Sequence, residues 1–204
     1  MLILCNGHAK SGSSFVYQLI EAVVTRTGHP QPEIRKRFLP IRQIPRPAHP
    51  YFADFAPGDA ANVYSNLPAD VLMVVKTHSP LTPDMAELLK QGKMKVVYTY
   101  RNPRDAAVSL RDSARREAHL PVTKRRFLGI DTDLDAIQVM ANRISHATHW
   151  LRNDSVLTIH YQEIVDAPFD LAQRIMTYLG LQVDIIPFLK EHLLNKQRIQ
   201  EFNV

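Results

Sequence analysis

Residues 2–15 read Leu2-Ile3-Leu4-Cys5-Asn6-Gly7-His8-Ala9-Lys10-Ser11-Gly12-Ser13-Ser14-Phe15. An apolar run of strand length passes into a short loop of glycine and serine, and a helix-forming stretch, 14–26, follows at once. That order is the strand, loop, helix arrangement that cradles phosphate. Backbone N–H groups of the loop and first turn face an anion, and the helix dipole favours its charge. The separation of Gly7 from Gly12 matches a Walker A loop, but Ser13 stands where that motif requires lysine, and Lys10 comes earlier. Glycine and serine loops also close purely structural turns, so taken alone the loop leaves both readings open.

Three more short apolar, β-branched runs lie at 71–76, 94–100 and 155–160, each with the character of a strand buried on both faces. Helical stretches accompany them at 83–91, 103–117, 134–151 and 169–178. In the third, Ile137, Met140, Ile144, Ala147 and Leu151 are spaced as the apolar face of an amphipathic helix, the face such a helix turns to its core. Strands alternating with helices predict an α/β, P-loop-like three-layer fold with a central, mostly parallel sheet flanked by helices, in a single domain over 1–204. Residues 38–68 interrupt this order with Pro40, Pro45, Pro47, Pro50, Pro57 and Pro68 among Tyr51, Phe52, Phe55 and Tyr64. They predict an irregular excursion whose aromatic side chains either line an acceptor pocket or simply pack a long loop.

Lys and Arg number 25 against 20 Asp and Glu, giving a net charge of +5 and a pI of about 9.4. This favours anionic ligands, although an evenly solvated basic surface is an equal reading. The single cysteine, Cys5, lies inside the first apolar run, which excludes disulfides within the chain and fits a reducing compartment. No segment approaches the ~20 apolar residues of a membrane span, and the run after Met1 is too short for the core of a signal peptide. The expectation is a cytoplasmic protein without a membrane span.

The run at 71–76 ends in Lys76-Thr77-His78-Ser79-Pro80. A histidine there sits at the carboxyl end of a parallel strand, where open α/β sheets place ligands, and imidazole removes protons well near neutral pH. The run at 94–100 leads into Arg101-Asn102-Pro103-Arg104-Asp105, with Ser109 one to two turns into the following helix. Arg101 and Ser109 can grip one phosphate through a guanidinium fork and a hydroxyl. The competing structural reading has an Arg and Asp pair, Arg104 with Asp105, capping that helix behind Pro103.

Together these stretches resemble the cytosolic-type sulfotransferases. Lys10-Ser11-Gly12-Ser13-Ser14-Phe15 is similar to their 5'-phosphosulfate loop P-K-S-G-T-T-W, with Ala9, Ser13, Ser14 and Phe15 as substitutions. Lys76-Thr77-His78 resembles their K-T-H element, and Arg101 to Ser109 resembles their 3'-phosphate motif R-N-P-K-D-V-A-V-S. Val156 to Glu163 is similar to the family's strand ending in Y-E-D, so the likeness covers most of residues 1–180. The resemblance implies sulfuryl transfer from 3'-phosphoadenosine 5'-phosphosulfate (PAPS), leaving 3'-phosphoadenosine 5'-phosphate (PAP), to an acceptor hydroxyl or amine. It implies that Lys10, Ser11, Gly12, Ser13 and Ser14 hold the 5'-phosphosulfate, that Lys76 and His78 flank the sulfuryl group, and that Arg101 and Ser109 hold the 3'-phosphate. Phe15 and Tyr161 then contact the adenine end, and His78 takes the acceptor's proton. A sulfuryl group in flight spreads negative charge over its oxygens, so fixed cations such as Lys10 and Lys76 suit the chemistry on their own account.

The family's R-K-G triplet near the C-terminus is absent, since the sequence ends Gln200-Glu201-Phe202-Asn203-Val204. Lys124, Arg125 and Arg126, or Lys196 and Arg198, are candidates to replace it, each with a plain reading as solvated surface. A P-loop kinase or other nucleoside triphosphatase is the rival enzyme, but it needs the Walker lysine and an acidic strand end for magnesium, where this sequence has Ser13, Lys76 and Arg101. A non-catalytic nucleotide-binding or nucleic-acid-binding module would use Arg35, Lys36, Arg37 and 124–126, yet no aromatic RNA-binding pattern or helix-turn-helix accompanies them. No metal is expected, because His146 and His149 are followed by no third ligand at a recognisable interval. The acceptor, whether small molecule, glycan, lipid or peptide tyrosine, is not legible, and neither is the oligomeric state.

Overall fold

Four strands form at the β-branched runs: β1 (Leu2–Gly7), β2 (Met73–Lys76), β3 (Met94–Tyr100) and β4 (Val156–His160). In this computed structural model, which describes residues 1–39, 53–184, 186, 187 and 189, they make one parallel sheet in the order β2-β1-β3-β4. Eight helices connect and cover them among the described residues: α1 (Ser13–Arg26), α2 (Gln31–Phe38), α3 (Asp59–Asn66), α4 (Pro83–Lys90), α5 (Pro103–Glu117), α6 (Asp133–Leu151), α7 (Tyr161–Asp166) and α8 (Pro168–Leu179). The expected α/β architecture is therefore the one observed.

Alternate strand residues serve opposite faces, as the period of two requires. Ile3, Cys5, Val97 and Ile159 pack with α1 and α8. Leu2, Leu4, Val75, Val96 and Tyr98 pack with residues of α3, α4 and α6, including Trp150. A third apolar cluster joins α5 to α6 through Ala106, Leu110, Ala136 and Met140.

Several local readings are corrected. α6 buries Ala136, Met140, Ala147 and Trp150, whereas Ile137, Ile144 and Leu151 stay exposed, so only Met140 and Ala147 of the expected face reach the core. α5 is capped by Asn102, whose side chain accepts from the Arg104 N–H, with Pro103 in the first turn; Arg104 and Asp105 do not make the cap. β4 does end at His160, as the run at 155–160 predicts, and Tyr161 opens α7, where His160 and Glu163 close a capping box. The excursion at 38–68 contains α3, and both Phe55 and Tyr64 pack on the second core rather than stand in a pocket. Residues 40–52, with Tyr51 and Phe52, lie outside the described residues, as do Lys196 and Arg198.

Candidate active site

Sheet register brings the chemistry-bearing tips together. Cys5 pairs with Lys76, Gly7 with Thr99 and Tyr100 with His160, so the glycine loop, Lys76 to His78, Arg101 and Tyr161 stand along one sheet edge. From β1 the chain passes to β2 on one side, and from β2 it crosses back to β3 on the other side of β1. This reversal is the switch point at which open α/β sheets form a crevice.

Gly12 caps α1 in the left-handed conformation, φ 85°, and no side chain caps the helix. Its first-turn N–H groups thus face the loop mouth, and a Cβ at Gly12 would run into Ile164 of α7. Ser11 is fully buried: its hydroxyl donates to the His8 carbonyl at 2.7 Å and lies 2.7 Å from Thr99 Oγ1, so it holds the loop's shape. Gly7 runs so close to β3 that a Cβ would stand inside contact distance of Thr99 Oγ1, the Thr99 carbonyl and Ser11 Oγ. Gly7→Ala should therefore destabilise the fold by about 1 to 3 kcal/mol, the usual cost of overpacking, read as a lower urea midpoint. An unchanged midpoint would mean that the loop yields freely.

Lys10 is half-buried with φ 65°, and its Nζ donates to Ser113 Oγ at 2.8 Å; Ser113 in turn donates to the Ser109 carbonyl at 2.8 Å. Burial, then the nearby Arg126, Arg116 and Arg101, push the Lys10 ammonium down to about 8. Cations crowded this way are stabilised by an anion. Lys76 is buried and donates from Nζ to Ser14 Oγ at 2.6 Å, which ties β2 to the start of α1.

The segment after Lys76 is fixed from several sides. Thr77 N–H donates to the Cys5 carbonyl at 3.0 Å, and the Ser79 carbonyl accepts from Asn6 Nδ2 at 3.0 Å and Trp150 Nε1 at 3.1 Å. Half-buried His78 uses Nδ1 toward the Gly7 carbonyl, an acceptor only, so a neutral ring carries its base lone pair on Nε2. Burial, then Lys76 and Arg143, hold the imidazole well below its ordinary pKa. Arg143, from α6, donates to the His78 carbonyl at 3.1 Å and has no carboxylate partner among the described residues.

At the β3 tip the Arg101 guanidinium lies 4.2 Å over the Tyr161 ring, and the Arg101 backbone N–H donates to His8 Nε2 at 3.0 Å. Ser109 is half-buried one turn before Ser113 on α5. Phe15 is buried in the first core, and Ser13 is buried in the loop while Ser14 is half-buried. Arg126 pairs with Glu117 at 2.5 Å, and Arg125 closes the end of α5 through the Ala118 and Leu120 carbonyls. Arg35 is buried against Glu21 at 2.6 Å, which removes it from any exposed nucleic-acid surface.

The structure thus sets Lys10, Gly12, Ser14, Lys76, His78, Arg101 and Tyr161 at the carboxyl end of the sheet. His8, Ser113 and Arg143 join them without having been marked by any motif. The donor set is N–H groups and cations, and the acid nearby, Glu117, is engaged by Arg126. Such a donor set suits a multiply anionic ester.

Comparison with known proteins gives a consistent answer. The family model described as "Sulfotransferase domain" matches residues 2–202. A mouse sulfotransferase solved in complex with PAP is 19% identical, at TM-score 0.50, over 99% of this chain and 62% of that one. Retinol dehydratase appears twice. Its complex with androsterone and the inactive cofactor PAP is 18% identical at TM-score 0.58, and its complex with retinol and PAP is 15% identical at TM-score 0.57. Each match covers 98% of this chain and 66% of the other, so the chain spans less than two thirds of the length of these structures.

Proposed function

The chain belongs to the sulfotransferase-domain family, and on that premise we propose that it transfers the sulfuryl group of PAPS to an acceptor hydroxyl or amine, through one domain over 1–204. The observation that carries this is His78 at the crevice, turned by the Gly7 carbonyl and flanked by Lys76. PAPS supplies an activated sulfuryl group and a leaving phosphate. The PAP in the neighbouring structures supports the same donor here, and the androsterone and retinol in two of them support a small-molecule or lipid acceptor, a glycan being the other hydroxyl class.

In this scheme the α1 N-terminus with Gly12, Ser13 and Ser14 holds the 5'-phosphate, while Arg101 and Ser109 hold the 3'-phosphate. Tyr161 orients Arg101, and Phe15 supports the adenine end from the core side. His78 Nε2 accepts the acceptor's proton as the nucleophile attacks. Lys10 and Lys76 stabilise the charge that develops on the transferring oxygens, and neither forms a bond to sulfur. Cytoplasmic residence belongs to the same proposal. No helix among the described residues is long and apolar enough to cross a membrane.

A kinase reading would put magnesium beside Lys76 and Arg101, which oppose it electrostatically. PAP at 100 times its dissociation constant should stabilise the fold by about 2.7 kcal/mol, and adenosine triphosphate with magnesium much less. Thermal unfolding with each ligand checks this. Equal stabilisation by the magnesium nucleotide would favour the kinase.

A further inference from the structure

Arg143 leaves α6 half-buried and donates to the His78 carbonyl at 3.1 Å. That neutral oxygen is its one hydrogen-bond partner among the described residues, and no carboxylate among them pairs with it. Its charge therefore acts on the strand tips. After burial, it is among the influences that lower the pKa of His8, beyond β1, and of His78, beyond β2. On Tyr98 of β3 it is the one charge acting beside burial among the described residues. We infer that Arg143 is an acceptor-binding residue, whose guanidinium takes an anionic group, a carboxylate or sulfate, carried by the acceptor beside the hydroxyl that faces His78.

Position favours the acceptor over the donor as the source of that anion. α6 packs through Ala147 and Trp150 on the second core, whereas α1, whose first turn faces the phosphate loop, packs on the first, so Arg143 reaches the strand tips from the other side of the sheet. Its bond to the main chain of His78 fixes the guanidinium beside the base rather than beside Gly12 or Arg101. Charge agrees. PAPS is already multiply anionic and repels a second anion, and a fixed cation next to the base offsets that repulsion. A neutral acceptor leaves the half-buried guanidinium without a counter-charge, which costs desolvation, while a carboxylate or sulfate matches its planar fork of donors. Arg143 thus selects for acidic acceptors and against neutral ones. The inference rests on the sulfuryl-transfer reading and names the acceptor class that reading leaves open.

Matched acceptors test it, each an acid beside its neutral counterpart: 4-hydroxyphenylacetate with 4-hydroxyphenylacetamide, and 4-nitrophenyl β-glucuronide with the β-glucoside. With labelled PAPS at saturation, kcat/KM for the acid should exceed that for its neutral partner by about 10- to 150-fold in at least one pair, the worth of a charged hydrogen bond. Arg143→Gln should abolish that preference, mainly by raising KM for the acid, and Arg143→Lys should restore much of it. A ratio of two acceptors on one preparation does not depend on how much of a variant is folded. Equal use of both members of each pair would overturn the inference, since the guanidinium would then be neutralised within the chain. So would turnover of the neutral members alone, or of none of the four by a protein that binds PAP. A loss of PAP affinity in Arg143→Gln as large as the loss with the acid would overturn it too, by giving Arg143 to the donor. Failure of the wild type to bind PAP would instead strike the transfer reading, and this inference with it.

Discussion

His78→Ala should lower turnover by about 10²- to 10⁴-fold with a hydroxyl acceptor, the range general base catalysis contributes, while affinity for PAP stays nearly unchanged. The asymmetry follows from position. His78 touches the phosphate loop through the Gly7 carbonyl, and the proposed phosphate holders are other residues: Gly12, Ser14, Arg101 and Ser109. The pH dependence has a definite sign. Burial, then Lys76, Arg143 and His8, favour the neutral ring and outweigh the opposing hydrogen bond to the Gly7 carbonyl, so the folded pKa lies well below 6.5. The base form then persists below pH 6.5, and the acid limb of kcat should lie below it as well. The unfolded ring binds a proton that the folded one rejects. Stability from the neutral imidazole is therefore complete above pH 6.5 and declines as pH falls from 6.5 toward the folded pKa. Initial rates at saturating donor decide the matter: a loss smaller than about tenfold would take His78 out of the base role and turn attention to exposed His119 beyond α5.

Arg101→Ala should weaken PAP binding by about 1.5 to 3 kcal/mol, roughly 10- to 150-fold, with a smaller effect on turnover of the bound complex. The guanidinium is stacked on Tyr161 and pairs with no carboxylate among the described residues, so its side chain is committed to no internal anion. Structural work at this tip falls to the Arg101 backbone, whose N–H meets His8, and to Asn102, which caps α5. The substitution removes neither, so the fold should hold. Calorimetric titration with PAP checks it; unchanged affinity would make Arg101 a packing partner of Tyr161 and nothing more.

The sheet and the three tips were legible because they depend on contiguous stretches: β-branched runs, a glycine loop, and motifs placed directly after strands. α2, α3 and α7 escaped because they are short and carry weak apolar periodicity among prolines and polar residues. The face of α6 was misjudged because Ile137, Ile144 and Leu151 are as apolar as a core face, and hydropathy does not distinguish burial inside a chain from exposure beside it. Arg143 and His8 act through partners 65 and 93 residues away, a relation that appears only when the sheet assembles. Ser113 lies one turn past the motif serine, Ser109, and its link to Lys10 comes from the left-handed turn at Lys10.

The central claim is tested most directly by following ³⁵S from labelled PAPS into a mixed panel of phenols, alcohols, sugars and amines, with wild-type protein and His78→Ala side by side. The account predicts labelled product and one PAP per transfer with the wild type, and a rate lower by about 10²-fold or more with the variant. Label passed on equally by both proteins, or phosphoryl transfer from magnesium adenosine triphosphate in place of sulfuryl transfer, would contradict it.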